Sequence, residues 1–199
     1  MSLWSRSIRI AWFLAACGAV VGCTSSPPPQ VEGMSYADRP NHFAVNLFPS
    51  WERLETKGLP ADKKDVAVFV RALPDGAGQA VINVVVDTAA GATDLQEYLR
   101  GNRELFSCRA VGYDELRATV VDHPSGRKAC LIEATFERIE RGSGEATAPQ
   151  ASRPKKRFMQ YALLYEGKQF VITATGPAAE AEALWLNEAT AILDSLVIW

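Results

Sequence analysis

The 199 residues carry 21 Lys and Arg against 23 Asp and Glu, a formal charge of −2, with 48% hydrophobic and 22% charged residues. Such a balance belongs to a globular domain. It excludes a nucleic-acid binder, because no basic stripe or basic–aromatic interleaving runs through the chain.

The first segment reads as a secretory signal, residues 1–22. Arg6 and Arg9 form a positive n-region, and Ile10 to Val21 is an apolar run of about 12 residues. A spanning helix needs ~20 such residues to cross ~30 Å of hydrocarbon. Gly22 is the small residue before a cleavage point, and Cys23 follows it directly. Val20-Val21-Gly22-Cys23 resembles the bacterial lipobox, in which the cysteine thiol takes a diacylglycerol thioether and becomes the mature N-terminus. The motif implies an exported protein on the periplasmic side of a bacterial membrane, with the lipid bilayer as partner through acylated Cys23. Thr24, in the place where Asp favours inner-membrane retention, leans towards the outer membrane. Loss of Arg6 and Arg9 with the signal leaves 19 basic residues against 23 acidic, a mature formal charge of −4.

Residues 23–41 read as a lipidated Cys and a flexible tether, since the Thr24–Gln30 stretch holds three serial prolines and no core-forming face. The globular domain is expected over 42–199. Phe43, Val45 and Leu47 alternate as a strand that ends at Pro49-Ser50. A polar connection over 56–64 leads to Val66, Val68 and Val70 on one strand face. After the turn residues 73–78, Ala80 to Asp87 is apolar on both faces, as in a central strand covered on both sides. Thr93-Asp94-Leu95-Gln96 reads as a capping box. The helix after it carries Leu95, Tyr98, Leu99, Leu105 and Phe106 at helical spacing and ends at Ser107-Cys108. A strand at 116–121 turns at Asp122–Gly126 into a strand whose Cys130, Ile132, Ala134 and Phe136 share a face. Residues 140–155 read as a long polar loop. Strands at 157–166 and 170–175 follow, and the last helix is expected after Gly176 with Pro177 in its first turn. The expected fold is α+β: an antiparallel sheet of about seven strands flanked by two main helices.

Little of this is catalytic chemistry. His42 and His123 are the only histidines, without metal-ligand spacing, and His123 sits in a turn. Glu133 and Glu137 are four apart on a strand, about 13 Å between Cα atoms, too far for a shared-proton dyad. There is no G-x-S-x-G or P-loop. No metal, cofactor or enzymatic activity is therefore expected. With Cys17 in the signal and Cys23 on lipid, Cys108 and Cys130 remain. In an oxidising compartment they are a candidate disulfide, closing 21 intervening residues for roughly 3 kcal/mol. Arg153, Lys155, Lys156 and Arg157 form the densest charge run, a candidate contact for anionic lipid or an acidic partner.

Residues 41–199 resemble the PsbP/DcrB-like family of small exported domains. The features that carry it are Phe48-Pro49-Ser50-Trp51 after the opening strand, the strand–strand–helix unit over 66–106, the hairpin Tyr161 to Thr175, and Ile192-Leu193-Asp194-Ser195-Leu196 in the terminal helix. The resemblance implies a PsbP-like α/β sandwich, frequent lipidation among bacterial members, and no catalytic residue set. Its photosynthetic members bind a membrane complex and are not enzymes. Together these point to a non-catalytic envelope lipoprotein that docks on an unknown membrane or envelope protein; the alternative is a module binding a small or lipidic ligand in a sheet–helix cleft.

Overall fold

The computed structural model describes residues 34–55, 65–87, 94–139 and 154–199. Gly22, Cys23, Arg153 and the connections at 56–64 and 140–153 lie outside these.

Seven antiparallel strands form the main sheet. In chain order they are β3 (Glu52–Arg53), β4 (Asp65–Ala72), β5 (Gln79–Asp87), β7 (Asp114–Asp122), β8 (Lys128–Phe136), β10 (Lys156–Tyr165) and β11 (Lys168–Pro177). Their spatial order is β3-β4-β5-β11-β10-β8-β7. A second sheet holds β1 (Met34–Asp38), β2 (Phe43–Leu47) and β12 (Val197–Ile198), with β2 in the middle. Short strands β6 (Ala110–Val111) and β9 (Arg138–Ile139) pair beside the main sheet. The helices are α1 (Leu95–Arg109) and α2 (Leu186–Asp194), the latter preceded by a 3₁₀ segment, Ala179–Leu184.

Strand alternation divides the core into two layers. One face of the main sheet presents Phe69, Ile82, Val84, Leu131, Leu163, Phe170 and Ile172 to Trp185, Ile192 and Leu193 around α2, with Phe43 and Ile198 of the small sheet closing the layer. The other face presents Cys130, Ile132, Ala134, Phe158 and Ala162 to Tyr98 and Leu99 of α1. The expected α+β sheet with two flanking helices is thus what forms.

Three local expectations are corrected. The segment read as tether contributes β1, which pairs with β2 from Met34↔Leu47 to Asp38↔Phe43. Tyr36 packs on Phe43 and Phe69, and Met34, Tyr36 and Ala37 give too little alternation to stand out in the sequence. Helix α1 is capped by Asp94, whose carboxylate accepts from the Glu97 amide at 2.7 Å, so the cap sits one residue after Thr93. Pro177 closes β11 rather than opening a helix, and α2 begins nine residues later at Leu186.

The registers give the main sheet two distinct ends. At one end lie Ala72↔Gln79, Pro177↔Lys156↔Phe136 and the start of β7. At the other lie Gln169↔Asp87, Tyr165↔Lys168 and Asp122↔Lys128. Helix α2 runs from the first end to the second.

Candidate functional site

Polar side chains gather at three places. The first is at the start of α2. Glu188 Oε2 accepts from Ser50 Oγ at 2.6 Å and Trp51 Nε1 at 3.0 Å, and forms an ion pair with Arg71 at 2.8 Å. This explains the Phe48-Pro49-Ser50-Trp51 motif: the turn, closed by Trp51 N–H to Phe48 C=O, clamps β2 and β4 onto α2.

The second surrounds His123, which is 2% exposed. Its Nδ1 lies 3.1 Å from the Ser125 amide, which can only donate, so Nδ1 is unprotonated. The Ser125 hydroxyl lies 2.8 Å from the same nitrogen, and Nε2–H donates to the Leu193 carbonyl at 3.1 Å. Tyr161 meets the ring edge-on at 4.9 Å. Burial, then the charge and hydrogen bond of Asp194, push the Tyr161 hydroxyl up to about 12. Burial also pulls His123 below its ordinary value, against the opposing pull of the Leu193 carbonyl and Asp194. This group has the residue types of an acid–base site, yet Nδ1 is taken up within the β7–β8 turn by Ser125, and Nε2 ties that turn to the C-terminus of α2. Neither is free to exchange a proton with a substrate.

The third is the basic run. Arg157 is half-buried and pairs with Glu133 at 2.6 Å, with Glu182 at 3.7 Å on its other side. Its guanidinium belongs to the fold. Lys155 and Lys156 are exposed at the start of β10. Of the four residues expected to meet a partner, two are therefore presented, one is occupied, and Arg153 lies outside the described residues.

The cysteines do not meet. Cys130 is fully buried on β8, and its thiol donates to the Leu95 carbonyl at 2.8 Å in the first turn of α1. Cys108 is exposed, thirteen residues further along the same helix. At 1.5 Å rise per residue that is about 20 Å away, beyond any disulfide. Both are free thiols, and the expected Cys108–Cys130 bridge is replaced by a buried Cys and a surface Cys. Burial pushes the Cys130 thiol up to about 11.

Among the described residues, no group of three or more His, Cys, Asp or Glu side chains could hold a metal ion. No described helix is long and apolar enough to cross a membrane. An open hollow of about 250 Å³ lies along α1 between Gln96, Leu99, Arg100, Arg103 and Glu104. It is a surface depression, not the apolar sheet–helix cleft that a ligand-binding reading requires.

No family model matches the chain, and no curated protein matches it in sequence. Solved structures do match in fold. Cyanobacterial PsbP (CyanoP) from Synechocystis sp. PCC 6803 is similar over 94% of this chain and 99% of its own, with a TM-score of 0.58 at 14% identity. The Saccharomyces cerevisiae Ran-binding protein Mog1p is similar over 85% of this chain and 96% of its own, with a TM-score of 0.55 at 12% identity. The fold is PsbP-like.

Proposed function

We propose that this chain is a lipid-anchored envelope protein, held to a bacterial membrane through Cys23, that acts by docking on a protein partner rather than by catalysis. Thr24 favours the outer membrane over the inner one. The observation that carries the non-catalytic reading is the state of His123: the one buried histidine has both nitrogens bonded within the fold. The PsbP-like architecture supports the same reading, since Mog1p, which shares it, is by its name a Ran-binding protein. Lys155 and Lys156, exposed at the start of β10, are the residues we assign to contact with a protein partner embedded in the same membrane.

The test has two arms, run on the natively expressed chain. Cys23→Ala should move the protein from the membrane to the soluble fraction; retention in the membrane rejects the anchor. Photo-crosslinking in cells from benzoylphenylalanine at Pro154, exposed beside the two lysines, should capture a discrete protein, and Lys155→Glu with Lys156→Glu should reduce that capture several-fold. Capture that is unchanged in the double variant rejects the assigned contact.

A further inference from the structure

Among the described residues, the exposed large hydrophobic side chains are Phe48, Leu54, Leu105, Leu116 and Leu184, each 40 to 49% exposed. Their placement is not even. Phe48 follows Leu47 directly and opens the turn whose Ser50 and Trp51 are bound by Glu188. Leu184 ends the 3₁₀ segment before Trp185, the residue that leads into α2 and donates to the Pro177 carbonyl at 3.0 Å. Phe48 and Leu184 therefore flank the start of α2. Leu105 and Leu116 flank the other layer: Phe106, beside Leu105, stacks on Tyr113 at the start of β7, and Leu116 is the bulged residue of that strand. All four belong to the end of the sheet that holds Pro177 and Lys156. Leu54 sits mid-edge, its amide bonded to the Val68 carbonyl. Among the described residues, none belongs to the end that holds Asp87, His123 and Glu166.

The chain also joins the domain at that apolar end, because Met34 pairs with Leu47. Ten residues separate Cys23 from Met34, and the eleven steps between them span at most about 40 Å. Strands β10 and β11 have ten residues each, about 33 Å at ~3.3 Å per residue. An anchor at Cys23 reaches the near end with slack, and the far end only if drawn out along the whole molecule. The exposed cations at the near end, Lys155, Lys156, Arg103, Arg109 and Arg117, are largely offset by Asp75, Glu104, Asp114 and the Glu115 paired with Arg103. Apolar contact rather than charge is then the main attraction.

We propose that this end rests on the phospholipid bilayer, with Phe48, Leu184 and Leu105 in its interfacial zone. The far end, with the turns at 123–127 and 166–167, then points away from the lipid. The proposal rests on acylation of Cys23 for its geometry, but the apolar end is an observation of its own.

The experiment uses the full chain expressed in a bacterium. Photoreactive benzoylphenylalanine replaces Phe48, Leu105 or Leu184 at the near end, and Asp122 or Glu166 at the far end, one per variant. Phospholipid adducts are counted by mass spectrometry after irradiation of intact membranes, and the mass of the N-terminal peptide reports Cys23. Near-end positions should give at least ten-fold more lipid adduct than far-end ones. Equal yields at both ends, or protein adducts in place of lipid at positions 48 and 184, overturn the orientation. Lipid adducts at the near end with unmodified Cys23 keep this surface and reject the anchor. Acylated Cys23 without near-end adducts keeps the anchor and rejects the surface.

Discussion

At the scale of single residues, His123 is a structural link whose protonation state is fixed by its neighbours. The folded state holds it neutral, with its pKa below the ordinary 6.5. As pH falls through 6.5, the unfolded chain takes up the proton first. Stability contributed by neutral His123 is therefore whole above that pH and is lost as pH drops towards the folded value. Urea unfolding at pH 7.5 and 5.5 should show a stability loss in the wild type that His123→Phe partly removes. At pH 7.5 the same variant should lose about 0.5–1.5 kcal/mol, because the Leu193 carbonyl loses its His123 donor and keeps only the Leu196 amide. An unaltered pH dependence would mean that other groups set it. The two thiols make a second prediction at this scale. In folded protein the Cys108 thiol should react with a thiol reagent, while Cys130, buried and pushed up to about 11, reacts only after unfolding. Loss of Cys108 labelling that returns on reduction would restore a disulfide.

At the scale of elements, α2 is held at both ends, by the Glu188 clamp and by His123, and at its base by Trp185 lying on Gly176. A Cβ at Gly176 would come within 2.4 Å of the Trp185 ring, and Trp185 is wholly buried. Gly176→Ala should cost about 1–3 kcal/mol through overpacking, several degrees in Tm for a domain of this size. Gly101, inside α1, meets nothing within 4 Å. Gly101→Ala should stabilise by about 0.5–1 kcal/mol, since alanine loses less backbone entropy in a helix. Opposite signs for two Gly→Ala changes, read by thermal melting, check the packing directly. The same glycine shows where sequence reading ran short. Gly176-Pro177 looks like a helix start, and only the tertiary contact with Trp185 explains why it finishes a strand instead. The stripe Leu95, Tyr98, Leu99, Phe106 was legible because four turns repeat it. The strands β3, β6, β9 and β12 were not, because two residues have no period. The site was less legible still: Arg157 reads as one more cation in a run until Glu133, 24 residues away, is found opposite it.

At the scale of the molecule, the decisive pairings join distant stretches: β5 lies against β11, and β12 lies against β2. Nothing local encodes such partners, which is why the α+β class could be read and the strand order could not. The small sheet makes the point most sharply. The Ser195 hydroxyl accepts from the Asn46 amide at 2.8 Å, Ile198 pairs with Phe43, and the Trp199 amide donates to the His42 carbonyl. The last five residues thus fasten α2 to β2, and Leu196 and Ile198 complete the core beneath. Each large-to-small change in such a core costs about 2–5 kcal/mol, against a total stability of roughly 5–15 kcal/mol. A chain ending at Ser195 loses both side chains and the β12 ladder together. It should be mostly unfolded or rapidly cleaved in limited proteolysis, whereas Leu196→Ala should melt cooperatively at a lower temperature. If the shortened chain instead melts as the intact one does, the small sheet is an appendage and the main sheet with its two helices is the whole folding unit.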